Sequence, residues 1–313
     1  MTSYQDIIHQ YNFTNLPNSA IYPKQKDSDD YYTINYEIPT NSTSLLATGY
    51  YTEADNEYAF FRGLDSNQKP AVEIILHQDT NNYDYSYSVF FSDVAKVNFD
   101  HSGAIWDTDI VFFQNDIQSQ IFQDSLNFLD QNGNPMQPNT ASARTGDFIT
   151  GGEQKYGDII LNEDVLGLWN DASEGTAQFE TIIHEIGHSL GLKHITNLNS
   201  TVNNQKYTIM SYEIIDGMSN TTTYGLPYLD FTVTDTLYPS GLQLLDIAAI
   251  QSIYGADTTT RLGDTTYGLN QGFGNTPNDP FIYTIWDAGG ENDVVDARGY
   301  SNGVIIDLNE GGF

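Results

Sequence analysis

The chain contains no cysteine among its 313 residues. Disulfide bonds, a cysteine-ligated zinc site and a cysteine-based lock of an inactive precursor are therefore excluded. The chain also has no run approaching ~18 apolar residues, the length that a helix needs to cross a bilayer, so no membrane-spanning segment is expected. The lack of cysteine fits several cellular compartments and selects none of them.

Basic residues are scarce as well, because 11 Lys and Arg stand against 42 Asp and Glu, a formal charge of −31. Such a surface repels the phosphates of nucleic acids and anionic lipids, so neither is an expected partner. It attracts cations, and calcium prefers carboxylate and carbonyl oxygens. Charge that keeps a secreted or salt-adapted protein soluble explains the composition equally well.

The N-terminal sequence MTSYQDIIHQYNF lacks the basic stretch and apolar run of a Sec signal peptide, so any export must use another signal. Residues 1–30 are polar and read as an arm or prosegment. Length and the 39% hydrophobic content predict one large domain followed by a smaller one. The glycine- and aspartate-rich sequence that begins at residue 256 places the boundary there, which gives domains 1–255 and 256–313.

Strand-like sequences occur at three places: Tyr31–Pro39, Ala104–Gln114 and Gly157–Asn162. A helix over residues 176–190 is predicted by an apolar stripe at three- and four-residue spacing: Phe179, Ile182, Ile183, Ile186 and Leu190. Ser173 or Thr176 can cap its start, and Gly191 can end it in a left-handed turn. A second helix is predicted over Leu242–Tyr254, and a third is expected to end near FFSDVAKVNF at 90–99.

The residues that carry chemistry are HEIGHSLGLKH at 184–194, which match H-E-x-x-H-x-x-G-x-x-H at all five fixed positions. His184 and His188 are four residues apart, so one helical face presents both imidazoles to the same point. His194 reaches that point only if the chain turns sharply, and Gly191 allows the positive φ that such a turn needs. Three neutral imidazoles leave a fourth position for water, which is typical of a catalytic zinc.

Glu185 follows His184 and is close enough to reach a metal-bound water without binding the metal. Zinc lowers the pKa of that water towards neutrality, so Glu185 can take its proton and later return it to the leaving amine. The alternative is a helix without a metal, whose histidines are buried in the core and hydrogen-bonded to other protein groups. The full pattern favours the metal site, since chance yields it in fewer than roughly one such chain in 10⁴ at ordinary residue usage.

The extended pattern resembles the metzincin signature, and YTIMSY at 207–212 resembles the Met-turn of the serralysin branch, in peptidase family M10. The resemblance implies that Met210 lies below the zinc. It also implies that Tyr212 binds the metal and swings away to stabilise the oxyanion, although a buried turn tyrosine is the alternative. The implied fold is α/β, with a twisted, mostly parallel sheet packed on two long helices and then the start of a β-rich calcium-binding β-roll.

Further stretches extend the resemblance. GLQLLDIAAIQSIYGAD at 241–257 resembles the helix that closes the serralysin catalytic domain, and FFSDVAKVNF resembles the end of its first long helix. TTRLGDTTYG at 259–268 and the stretch 281–311 resemble the start of the β-roll. They imply calcium ligands at Arg261, Gly263, Thr265, Asp287, Gly289, Gly290, Asn292 and Asp293.

The sequence departs from the family at two points. The spacing after Gly290 differs, so Asn292 or Asp293 must take the place of the family's aspartate. The family's tandem GGxGxDxUx repeats and its C-terminal signal for type I export are missing before Phe313. Three explanations of the missing repeats are left open: a shortened chain, a product of autolysis and a natural short form.

The resemblance thus implies a secreted, monomeric zinc endopeptidase with one catalytic Zn²⁺, structural Ca²⁺ and protein or peptide substrates. It also allows a proteinaceous inhibitor as a partner. Substrate is expected to add to an edge strand near Ala141–Ile149 through main-chain hydrogen bonds, which favours broad specificity. One open alternative is a latent or toxin-like module whose N-terminal arm fills the cleft, with Asp6 or His9 capping the metal. The other is a non-enzymatic calcium-binding structural protein, against which Glu185 argues.

Overall fold

A computed structural model of the protein describes residues 26–47, 53, 61–76, 88–101, 108–115, 141–144, 148–150, 153–155, 157–162, 171–194, 203–213, 219–226, 229–236, 238–268, 282 and 284–300. Asp6 and His9, and with them most of the predicted arm, lie outside these residues. Within the described part, none of the helices has both the length and the apolar character needed to cross a membrane.

The centre of the fold is a six-stranded, mostly parallel sheet. Its strands are β1 (Tyr32–Glu37), β2 (Phe61–Arg62), β3 (Val97–His101), β4 (Ile110–Asn115), β5 (Ala141–Arg144) and β8 (Asp158–Asn162). The order across the sheet is β3-β1-β4-β8-β5, and β2 also pairs with β4. The pairs β1–β3, β1–β4 and β4–β8 are parallel, whereas β2–β4 and β5–β8 are antiparallel.

Both faces of the sheet are buried, as is usual for parallel strands covered on each side. Alternate residues of β4 point to opposite faces, so Ile110 and Phe112 join the main core while Val111 and Phe113 join a smaller cluster. The smaller cluster contains Leu45 of a short helix. The predicted strands near Tyr31–Pro39 and Gly157–Asn162 are confirmed as β1 and β8.

Five helices are described: α1 (Ser42–Ala47), α2 (Gln68–Leu76), α3 (Phe91–Val94), α4 (Ala177–Ser189) and α5 (Leu244–Tyr254). The two longest, α4 and α5, have 13 and 11 residues and correspond to the two main predicted helices. The predicted apolar stripe of α4 is fully buried in the main core. Full burial of one such side chain contributes about 1.5–3 kcal/mol, so this stripe fixes the helix under the sheet.

The helix predicted to end near residues 90–99 is much shorter in the structure. Helix α3 covers only Phe91–Val94, and the chain then enters strand β3. Val97 and Phe99 are buried while Asn98 and Asp100 are exposed, which is the period-two pattern of a strand. Pairing with β1 therefore determines the structure of this segment.

Three small two-stranded sheets complete the described structure. They are β6 (Phe148–Thr150) with β7 (Glu153–Lys155), β9 (Ser219–Leu226) with β10 (Leu229–Thr236), and β11 (Thr266–Gly268) with β12 (Val294–Asp296). The first two pairs are antiparallel and the third is parallel. The parallel pair joins two segments from the glycine-rich C-terminal part of the chain.

Residues after Gly255 are bonded to α3 and to the residue that follows it. Ala256 forms a β-bridge with Ala95, and the Asp257 N–H donates to the Val94 carbonyl at 3.0 Å. Further along, the Trp286 indole N–H donates to the Asp257 carbonyl at 3.2 Å. The C-terminal part therefore packs directly against α3 and the residue that follows it.

Candidate metal centre

Helix α4 begins at a side-chain cap and presents two histidines near its other end. Thr176, one of the two predicted caps, accepts the Phe179 N–H through Oγ1 at 3.2 Å. His184 and His188 lie one turn apart, with ring centroids 4.7 Å from each other. The helical period thus places both imidazoles on one face, as the sequence predicts.

The end of α4 turns the chain back so that a third histidine reaches the same point. Gly191 has φ 98°, and the N–H groups of Gly191 and Leu192 donate to the carbonyls of His188 and Gly187, each at 2.9 Å. These are the two bonds of a Schellman motif, in which glycine takes the left-handed position without steric cost. His194 Nε2 then lies 3.0 Å from His184 Nε2 and 2.9 Å from His188 Nε2.

Backbone carbonyls determine which ring nitrogens face the shared point. His184 Nδ1 lies 2.7 Å from the Ile209 carbonyl oxygen, and His188 Nδ1 lies 2.9 Å from that of Leu192. A carbonyl oxygen can only accept, so both Nδ1 atoms carry the ring proton and both Nε2 atoms present lone pairs. A single N–H on His194 can satisfy only one of these lone pairs well. The three nitrogens therefore fit a metal cation.

Burial keeps the imidazoles in the form that binds a metal. It lowers the pKa of His184 to about 3 and the pKa of His188 to about 4, with the neighbouring histidines adding to the shift. Burial lowers the pKa of His194 as well. All three rings are therefore neutral at neutral pH, as metal ligation requires. In the part of the chain that the structure describes, these histidines are the one group of three or more potential ligands that converge.

The Tyr212 side chain reaches the same point from the turn that follows the site. Its hydroxyl lies 2.8 Å from His194 Nε2, although 73% of the residue is exposed. The buried-turn alternative for Tyr212 is therefore wrong. Loss of solvent around the hydroxyl, followed by the charges of Glu185 and Glu180, raises the pKa of Tyr212 to about 12. The hydroxyl thus keeps its proton at neutral pH and can donate it in a hydrogen bond.

Two buried acidic side chains accompany the histidines on α4. Glu185 is 8% exposed, and its charge acts on both Tyr212 and Glu180. Burial raises the pKa of Glu180 well above its ordinary value, and the nearby carboxylates of Glu185 and Asp246 add to the shift. Glu180 therefore holds its proton to a higher pH than an exposed glutamate does.

Met210 packs against α4, and its predicted place below the zinc stays a prediction. It is fully buried, and a Cβ at position 187 would lie 3.0 Å from its sulfur. Gly187, between the first two histidines, is therefore what allows Met210 to pack so closely. This role of Gly187 is absent from the sequence-based prediction, although the glycine stands within HEIGH.

Family models of known proteins match two segments of the chain. Residues 90–239 match the family model described as Matrixin, and residues 256–313 match the model described as Peptidase M10 serralysin C terminal. Serralysin C of Dickeya chrysanthemi is 40% identical over 148 residues, 42% of this chain and 29% of the relative. The chain belongs to the serralysin-type branch of peptidase family M10.

Two other relatives match to a similar extent. Serralysin of Proteus mirabilis is 38% identical over 139 residues, 42% of this chain and 28% of the relative. Metallopeptidase AprA of Pseudomonas marginalis is 38% identical over 148 residues, 43% of this chain and 30% of the relative. The matched part thus spans less than a third of the length of each of these curated relatives.

Membership of the family brings a catalytic zinc and a calcium-binding C-terminal segment. The three histidines supply the donor set for the zinc, since three imidazole nitrogens around one open position are the arrangement of a catalytic zinc site. The expected α/β architecture, with a mostly parallel sheet, is also that of the described residues.

The structure brings together the two predicted halves of the serralysin-type calcium region. Arg261 donates from Nη1 to the Trp286 carbonyl at 2.8 Å, and the Thr265 N–H donates to Asp293 Oδ1 at 2.8 Å. Asp287 accepts the Tyr267 hydroxyl at 2.7 Å. Gly263, Gly289, Gly290 and Asn292 lie in the same two facing loops. The assignment of individual calcium ligands stays a prediction.

Asp264 organises these loops and is not among the predicted ligands. Its Oδ1 accepts the backbone N–H groups of Glu291 and Asn292 at 2.9 and 3.0 Å, and its Oδ2 accepts the Asn292 amide at 3.1 Å. These bonds lower the pKa of Asp264 and keep it ionised. The sequence feature that could have indicated this role is an aspartate directly after Gly263, in the first of the two loops.

Proposed function

We propose that this chain is a zinc-dependent endopeptidase that hydrolyses peptide bonds of protein substrates. The convergence of the three Nε2 atoms of His184, His188 and His194 carries the proposal. Glu185 supports it, because a purely structural zinc has no use for a buried carboxylate beside its ligands. The relatives are much longer than the matched part, so activity, substrates and partners of the whole protein belong to this proposal.

The proposed roles follow from where each side chain stands. Zinc, when bound, acts as a Lewis acid and lowers the pKa of water towards neutrality. The Glu185 carboxylate accepts a proton from the attacking water and returns it to the leaving amine. The Tyr212 hydroxyl donates a hydrogen bond to the oxygen on which negative charge develops, and in the resting site it can act as a further ligand.

An edge strand near the site supports an extended substrate. Strand β5 ends the described sheet, pairs only with β8 among the described strands, and contacts α4. Its outer edge can therefore pair with a peptide by main-chain hydrogen bonds, within the region 141–149 predicted from the sequence. Because those bonds do not involve the side chains of the substrate, we infer broad endopeptidase specificity.

The proposal is tested by incubating the purified chain with casein, an unstructured protein, and sequencing the new N-termini. We expect cleavage at internal bonds, loss of cleavage after zinc chelation and recovery when zinc is restored. Zinc content is measured in parallel for each preparation. A chain that holds one zinc and still leaves casein intact would contradict the peptidase assignment, and exclusive release of terminal residues would contradict the endopeptidase assignment.

Replacement of Tyr212 by phenylalanine is expected to lower kcat by about 10²-fold, the usual cost of losing one hydrogen-bond donor to the developing oxyanion. The expectation rests on the 2.8 Å approach of the hydroxyl to His194 Nε2. KM and bound zinc should change little, because three histidines remain. Tyr300→Phe is a control in the C-terminal part of the chain. An unchanged kcat in Tyr212→Phe would leave Tyr212 without a role in the reaction.

Secretion, the division into domains 1–255 and 256–313, and the calcium ligands belong to the same proposal. The family match at residues 256–313 supports calcium binding there. A latent form closed by the N-terminal arm involves Asp6 or His9, which lie outside the described residues. A non-enzymatic calcium-binding role gains no support from the cluster of three histidines.

A further inference from the structure

We propose that Asp246 is a positioning residue of the metal centre, which holds the Met-turn so that the Ile209 carbonyl orients His184. Asp246 belongs to α5, in the interval between the two segments that match family models. It is the sole charged residue of 241–254. The inference goes beyond the proposed ligands and catalytic groups, and it rests on the proposed zinc site.

Asp246 is fully buried and is bonded to the protein through both carboxylate oxygens. Its Oδ1 accepts the Thr208 hydroxyl at 2.6 Å. Its Oδ2 accepts the Ile209 N–H and the Gln243 N–H, each at 2.9 Å. The same oxygen thus joins the first turn of α5 to the Met-turn, while burial raises the pKa of Asp246 to about 7 and the three bonds oppose that shift.

These bonds fix the peptide units on both sides of the Ile209 Cα. Asp246 holds the preceding peptide directly, through the Ile209 N–H. It holds the following peptide through Thr208, because the Met210 N–H donates at 3.0 Å to the same hydroxyl that donates to Asp246. The following peptide carries the Ile209 carbonyl oxygen, which lies 2.7 Å from His184 Nδ1.

The tautomer of His184 depends on that carbonyl. With the ring proton on Nδ1, the Nε2 lone pair faces the other two histidines. An outer hydrogen-bond partner of a ligating histidine fixes the ring and raises its basicity, and loss of one usually costs 10–100-fold in metal affinity. Disturbing Asp246 is therefore expected to weaken zinc binding although Asp246 contacts no ligand.

A merely structural role is the competing explanation, since Asp246 also caps its own helix through Gln243. Asp93 offers a matched control, because it is a buried aspartate at the same position of α3 and accepts the Phe90 N–H at 2.8 Å. Burial raises the pKa of Asp93 as well, to about 6. Asp93 thus shares the capping role without the bonds to the Met-turn.

The experiment compares Asp246→Asn and Asp93→Asn in the full chain, by zinc affinity in chelator competition and by thermal unfolding without zinc. Asparagine has one acceptor oxygen in place of two, so Asp246→Asn cannot keep all its bonds. We expect zinc affinity to fall about 10–100-fold in Asp246→Asn and to stay close to the parent value in Asp93→Asn, while both variants unfold earlier. If Asp246→Asn and Asp93→Asn lost the same zinc affinity while losing the same thermal stability, the inference would be overturned.

Thr208→Val keeps the proposal testable if Asp246→Asn does not fold. Valine has the shape of threonine but can neither donate to Asp246 nor accept the Met210 N–H. We expect its zinc affinity to fall about 10-fold, the lower end of the same range; a parent-like affinity would overturn the role of the network. A parent chain that binds no zinc would overturn the proposed function as well, so the two failures are distinguishable.

Discussion

Replacing Glu185 by glutamine is expected to reduce peptide hydrolysis by roughly 10²–10⁴-fold, the usual contribution of a positioned general base, while zinc stays bound. Glutamine has nearly the same size, so the buried position is filled as before. Its amide cannot accept the proton of the attacking water. Rates are measured on casein and on a short peptide, and the zinc content of each preparation is counted.

The matched control is Glu73→Gln, the same chemical change at an exposed site on α2. Glu73 forms a surface pair with Lys69 at 3.4 Å, and about half of each side chain is exposed. Such a pair contributes little to stability, so this variant should retain the parent rate. A Glu185→Gln variant that cleaves at the parent rate would contradict the assignment of the base. Loss of zinc from that variant would show that Glu185 supports the metal itself.

The metal centre was largely predictable because its geometry is local. A four-residue spacing on a helix, a glycine at the left-handed position and a third histidine three residues later determine where the rings go. The structure has the expected geometry: φ is 98° at Gly191, and His194 Nε2 lies 3.0 Å from His184 Nε2 and 2.9 Å from His188 Nε2. No contact between distant segments is needed to specify this convergence.

The groups that orient the rings were not predictable in the same way, because they come from distant parts of the chain. The Ile209 carbonyl is 25 residues from His184, and Asp246 is 37 residues from Ile209. A lone aspartate in the apolar stretch LLDIAAI indicates a buried polar contact, since an isolated buried charge needs hydrogen-bond partners. The sequence does not identify those partners. Pairing across such distances depends on the packing of α5 under the Met-turn.

The fold shows the same division between local and distant causes. The stripe of α4 and the strands β1 and β8 have clear periodicities and were found within a few residues. The hairpin β9–β10 was missed, although SNTTTYGL and LDFTVTDT are rich in β-branched residues. Threonine-rich sequence also suits loops, and only the pairing of the two segments distinguishes a strand from a loop.

Replacing His188 by alanine is expected to weaken zinc binding by more than the 10–100-fold that follows loss of an outer hydrogen-bond partner, because a direct ligand is removed. Two nitrogens would remain near the shared point, and the Leu192 carbonyl would lose its contact with His188 Nδ1. The variant should therefore lose zinc on dialysis against a chelator that the parent resists, and casein cleavage should disappear with the metal.

His101→Ala is the control, since it removes a histidine outside the site. The His101 ring is 57% exposed and lies 3.2 Å from the Glu37 carboxylate, on strands that carry no proposed ligand. Its zinc affinity and cleavage rate should equal those of the parent. If His188→Ala kept zinc as tightly as His101→Ala does, the convergence of His184, His188 and His194 would not be a metal site. If cleavage were lost in that case, His188 would act on the substrate, because the metal would depend on other groups.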